Sequence, residues 1–171
     1  MDSYVQLARE SFAYYVKTGR FMMDQEKIPQ ELKSRRSGVF ITILKDGRER
    51  GAAGKALPVH ANVADEIIET TVFAGCYDMR YDRVQEEELD QLRYRVDILG
   101  QPEYVSSLAE LDPAVYGIIV SNANMCRSLA LPGIVAGETP DEQLARAIGG
   151  TEIIPGEEVQ IERFTVERHE G

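Results

Sequence analysis

Of the 171 residues, 43% are hydrophobic and 28% charged, the proportions of one globular domain, built from two lobes at most, and not of a disordered tail. Against 19 Lys and Arg stand 29 Asp and Glu, a formal charge of −10 that repels phosphate backbones and disfavours nucleic acid as a partner. No apolar run nears the roughly 18 residues of a membrane helix. The start lacks the basic-then-apolar pattern of a secretory signal, and two cysteines with two histidines are too few for a zinc cage or a disulfide framework. A cytoplasmic chain with no membrane span, bound metal or cofactor is expected.

Ser3 with Gln6 has the spacing of a capping box, and Val5, Ala8, Phe12, Tyr15 and Val16 then share one face, so residues 3–18 are predicted helical and closed by Gly19. A polar stretch with Pro29 precedes the β-branched run Val39 to Leu44, a buried strand near 38–45. Asp46-Gly47 is a hairpin dipeptide that returns the chain into a partner strand near Arg50 to Lys55. There Gly51-Ala52-Ala53-Gly54 offers almost no side chain, a mark of close approach by a backbone or a ligand. Asn62 caps a helix over 63–75, with Ala64, Ile67, Ile68 and Thr71 facing the core and Asp65 and Glu66 in the first turn.

Glu86-Glu87-Glu88 reads as a solvated face or the start of a short helix. Residues 93–99 alternate, with Tyr94, Val96 and Ile98 opposite Arg93, Arg95 and Asp97, as in a half-exposed strand. After the Asp112-Pro113 turn, strands near 116–121 and 127–131 form a second hairpin through Asn122-Ala123-Asn124. Thr139-Pro140-Asp141-Glu142 combines N-cap, N1 proline and capping-box glutamate, opening a helix over 140–148 that stops at Gly149-Gly150. Val159 and Ile161 fall in one alternating phase, Phe164 and Val166 in the other, so 159–167 reads as a strand with a bulge.

These segments carry a resemblance. Arg35-Arg36-Ser37-Gly38-Val39-Phe40-Ile41, Lys45-Asp46-Gly47-Arg48, Leu111-Asp112-Pro113, Tyr116 to Val120, Thr139-Pro140-x-Glu142-Gln143-Leu144 and Arg163 to His169 stand in the order of the AMMECR-type domain family. Within it the chain resembles the bacterial and archaeal branch known as AmmeMemoRadiSam system protein A, across nearly its whole length. The resemblance implies an α+β fold, a mixed sheet with flanking helices, and a larger and a smaller lobe within one domain over 1–171. It also implies a shared pathway with Memo-type and radical SAM proteins. Arg50-Gly51-Ala52-Ala53-Gly54 lies where the family has Arg-Gly-Cys-Ile-Gly, so Ala52 replaces the family cysteine and thiolate chemistry at that position is lost. The family's Ile is Ala53, and Ser128 stands where a Gly follows the later-strand arginine.

Arg50, Gly51, Asp78, Arg80 and Arg127 are the candidate ligand residues, because arginine presents a planar fork suited to carboxylate or phosphate and the small residues leave room beside it. The competing reading makes Asp78 and the arginines a structural ion-pair network around a long loop. Cys126 beside Arg127 is a candidate substitute thiolate, but a lone strand cysteine, like Cys76, is ordinarily a small core residue. His60 reads as a loop histidine and His169 as part of the last strand. Three functions follow. One is a binding or accessory component acting with Memo-type and radical SAM partners. Another is an enzyme on a small anionic substrate with Asp78 handling protons. The last is a nucleotide or nucleic-acid binding module, which the acidity disfavours.

Overall fold

Asp2, not Ser3, caps the first helix: its carboxylate accepts from the N–H groups of Tyr4 and Val5, and α1 runs Ser3–Thr18 to a left-handed Gly19. Ser3 and Gln6 therefore form no capping box; Ser3 Oγ donates to Glu31 and the Gln6 amide to Glu10. The carboxylate one residue earlier is the stronger acceptor for the same orphan amides. The computed structural model describes residues 1–171.

The class is α+β. The chain divides into two units, Met1–Leu99 with Glu167–Gly171, and Gly100–Val166. The first unit contains α1, the short α2 (Gln30–Ser34), β1 (Val39–Lys45), β2 (Arg48–Gly54), α3 (Val63–Cys76), β3 (Leu92–Leu99) and β8 (Val166–Glu170), the strands ordered β2-β1-β3-β8. Asp46 and Gly47 both take positive φ, the geometry an Asp-Gly hairpin turn requires. α1 and α3 pack together over the sheet, burying Val5, Ala8, Phe12, Ile67, Val72, Ile41, Ile43 and Tyr94 in one core. Gly75 permits that packing, since a Cβ there would lie 2.1 Å from the Phe12 ring.

The second unit holds β4 (Glu103–Tyr104), β5 (Gly117–Asn122), β6 (Arg127–Ala130), α4 (Pro140–Ile148) and β7 (Val159–Phe164), ordered β4-β7-β5-β6. Its core is Leu111, Ile118, Val120, Ala130, Ala147 and Ile153. The Thr139–Glu142 capping box forms as the sequence predicts. Asn122 Oδ1 closes the hairpin by accepting from the N–H groups of Asn124 and Cys126.

Two strand expectations change. The segment 159–167 is not one bulged strand: the phase switch after Ile161 reflects a chain that leaves one sheet at Phe164 and enters the other at Val166. β3 alternates as expected through Arg93 and Arg95, but Asp97 departs from the pattern: it is fully buried and held by Arg168 of β8, Nε to Oδ1 at 2.7 Å and Nη2 to Oδ2 at 3.1 Å. No helix is long and apolar enough to cross a membrane.

Candidate functional site

The site begins with a break in strand register. Ile43 faces Gly51 but Leu44 faces Glu49, which makes Arg50 the extra residue of a β-bulge on β2. The bulge aims its guanidinium at the 3-10 turn Glu86–Gln91. Nε donates to Glu88 Oε1 at 3.0 Å, Nη2 to Oε2 at 3.1 Å and Nη1 to the Asp82 carbonyl at 2.7 Å, while Lys45 Nζ reaches Glu88 Oε1 at 2.9 Å. Glu88 is thus no member of a solvated face, as the acidic run suggests, but the anchor of two cations. The Arg50 hydrogen bonds, with those from the Gln85 amide and Lys45, overcome its partial burial and hold its carboxyl at about 2.

A depressed carboxyl pKa contributes stability that is fully present above the ordinary value and is lost as pH falls through the folded one. Glu88→Gln should therefore lower stability by about 1.5 kcal/mol near neutrality. The deficit should shrink between about pH 5 and pH 2, as read from urea melts of both proteins. A deficit independent of pH would remove the ion pair from the account.

Asp78 stands on the loop after α3 and reaches back to the strand. Its Oδ2 accepts from the Ala52 N–H at 3.0 Å and from Arg80 Nη2 at 2.7 Å; its Oδ1 accepts from Arg80 N–H and Nε at 3.1 and 3.0 Å. Only 8% of the side chain is exposed. Burial pushes the carboxyl up, but the Arg80 and backbone donors outweigh it and hold Asp78 below its ordinary value. Arg80 also pairs with Glu49 at 2.8 Å and lies over the Tyr81 ring. A carboxylate with four donors is a fixed negative post and a weak proton acceptor.

Beside this pair, β2 and α3 wall an open cleft of about 480 Å³. Ala52, Ala53 and Gly54 form its strand side, and their minimal side chains leave the space. Phe73 and Tyr77 stand at its helix side, both substantially exposed, with ring centroids 5.4 Å apart. Lys55, Glu69 and Asp78 are its charged groups. Glu69 is bonded to His60 Nε2 at 2.8 Å and Asp78 to Arg80, whereas the exposed Lys55 ammonium pairs with no carboxylate. Lys55 is the one charged side chain of the cleft with no side-chain hydrogen-bond partner.

The five candidate residues thus separate. Asp78 and Arg80 meet on the Ala52 amide, and Arg50 is bound to Glu88. Gly51 serves packing: a Cβ there would lie 2.0 Å from the Ala74 carbonyl oxygen of α3. Arg127 belongs to the second unit, opposite Ser121 at the start of β6, where it is 3.5 Å from Glu162. Cys126 packs partly into that unit's core, and burial pushes the Cys76 thiol up. His169 stacks on Tyr4 with centroids 4.0 Å apart and bonds Asp2 and Glu167. No group of three His, Cys, Asp or Glu side chains is arranged to hold a metal ion. Lys55, Phe73 and Tyr77 escaped the sequence reading, although an aromatic pair four residues apart, off the apolar face of α3, was a visible signal.

Comparison with known proteins places the chain. A protein of Thermotoga maritima is 41% identical over 97% of this chain and 96% of its own length. Protein CA_C1420 of Clostridium acetobutylicum is 37% identical over 98% of this chain, but that match spans 36% of the longer Clostridium protein. The crystal structure of uncharacterized protein PH0010 from Pyrococcus horikoshii superposes with a TM-score of 0.88 at 26% identity, over 98% of this chain and 89% of that one. The AMMECR1 family model matches residues 5–169, and the chain belongs to the AMMECR1 family.

Proposed function

We propose that the protein is a binding or accessory component whose first-unit cleft holds a ligand bearing an anionic group and an apolar part. One observation carries the reading: the cleft is floored by Ala52, which offers no thiol, and every carboxylate lining it is already hydrogen-bonded, leaving Lys55 and the aromatic pair to receive a ligand. The catalytic alternative needs Asp78 to move protons, and a carboxylate held below its ordinary value favours holding over transfer. Memo-type and radical SAM proteins, implied by the resemblance, are the proposed partners in the same pathway.

The test is calorimetric titration of the protein with a panel of nucleotides, short-chain carboxylates and aryl carboxylates. A ligand of the cleft should lose about tenfold in affinity in Lys55→Glu, the equivalent of one charge-assisted contact. It should lose a comparable amount in Phe73→Ala. Arg127→Ala decides whether the second unit contributes, and unchanged affinity assigns that arginine to its pair with Glu162. If no member of the panel binds, or binding is indifferent to both cleft variants, the reading fails for these ligands.

A further inference from the structure

β2 is an edge strand, with β1 on one side and no strand on the other. Its register fixes which backbone groups face outward. Lys55 N–H donates to the Val39 carbonyl at 3.1 Å, and Ala53 and Gly51 continue that alternation opposite Ile41 and Ile43. In an antiparallel ladder the residues between them, Ala52 and Gly54, turn their N–H and C=O groups away from β1. Asp78 takes the Ala52 N–H. The Gly54 N–H and the carbonyls of Ala52 and Gly54 face the cleft side with no hydrogen-bond partner in the fold.

Natural edge strands are guarded by charged side chains, proline or early termination, because open backbone groups template pairing. The opposite edge of this sheet, β8, carries Glu167, Arg168, His169 and Glu170. Residues 51–54 of β2 bear no charged side chain or proline of their own, and Asp78 covers only the Ala52 N–H.

We infer that the cleft is a strand-addition site, in which an extended peptide segment with an acidic side chain pairs with the outer edge of β2 at Ala52 and Gly54. This rests on the binding reading above and names its ligand class. Main-chain hydrogen bonds supply the attachment, and alternate side chains of the added strand fall toward Phe73 and Tyr77. A carboxylate on the segment meets Lys55, the one charged side chain of the cleft with no side-chain hydrogen-bond partner. Asp78 ends the open edge by occupying the Ala52 N–H, and the Arg50 bulge turns the strand beyond it, which sets the short register. A second copy of the chain fits less well, since two molecules of charge −10 repel.

The experiment selects linear peptides from a random displayed library on the full chain, then measures each synthetic hit by calorimetry and by amide hydrogen exchange. Hits should carry an acidic residue among apolar ones. They should weaken by about tenfold or more in Lys55→Glu and when alternate peptide amides are N-methylated, and they should slow exchange of the Gly54 amide. Hits that bind in the cleft yet tolerate N-methylation and leave Gly54 exchange unchanged overturn strand addition and keep the binding reading. Small carboxylates binding there with no peptide enriched likewise overturn strand addition alone. Failure of both peptides and small anions overturns both readings. A dimer in sedimentation that protects Gly54 on its own replaces the peptide with a second copy and overturns the inference.

Discussion

Gly51→Val is expected to destabilise the first unit by about 3 kcal/mol or to prevent its folding, because overpacking against a rigid neighbour has no easy relief. The neighbour is the Ala74 carbonyl oxygen, 2.0 Å from where the first side-chain carbon would sit, and it belongs to the hydrogen-bonded backbone of α3. Moving it means separating α3 from β2, the two walls of the cleft. Ala52→Cys is the contrasting variant. It adds a single sulfur atom at a half-buried edge position and should change stability by less than about 0.5 kcal/mol. Urea melts of both variants check the pair. A Gly51→Val protein as stable as the native one would mean that the helix and strand are not held as close as described.

Arg168→Ala should cost about 3 kcal/mol at neutral pH, since it leaves a buried carboxylate without its partner. The Asp97 side chain is 1% exposed, and its two oxygens both accept from Arg168. Burial already raises the Asp97 pKa above the ordinary value near 3.8, against the lowering effect of Arg168. A carboxyl raised in the folded state stabilises fully below the unfolded value, and that contribution is lost as pH rises through the folded one. Removing Arg168 raises Asp97 further, so the deficit of the variant should grow from about pH 4 toward neutrality, in the same direction as the Glu88→Gln deficit but over a higher pH range. Denaturant melts across that range give the answer, and a deficit that falls with rising pH would contradict it.

Local signals carried most of the fold. Val5, Ala8, Phe12 and Tyr15 marked the buried face of α1, the Asp46-Gly47 pair marked the hairpin, and Thr139 with Glu142 marked α4 to its first residue. What sequence spacing does not encode is partnership between distant residues. Glu88 looked solvated because its partners, Arg50 and Lys45, lie across a fold that brings the 3-10 turn to the strand. Asp97 looked exposed because alternation reports one sheet face, and Arg168 covers the other. The candidate residues mixed roles for the same reason: an Arg-Gly-Ala-Ala-Gly run shows where side chains are missing, while only the register shows that the Gly51 Cα faces α3 and the Ala52 main-chain groups face the cleft. Composition made the second unit's strands legible but said nothing of which sheet each would join.

The path of the chain through its two units has a kinetic side. The first unit is closed by residues on either side of the second, with Tyr94 and Gly171 exchanging both main-chain hydrogen bonds across the residues that fold separately. A ribosome emits the first 99 residues with α1, α3 and three strands of their sheet available, but β3 keeps a bare edge and Asp97 lacks its arginine until synthesis has passed β8. During that interval the nascent sheet is open on both flanks, at β2 and at β3, and the residues of the intervening unit must be made before the last strand is in reach. Loop closure over such a separation is slow compared with local helix formation. The final zippering of β8 is therefore the step at which the first unit acquires its full stability, and the period in which the unfinished edge is most open to pairing with the wrong strand.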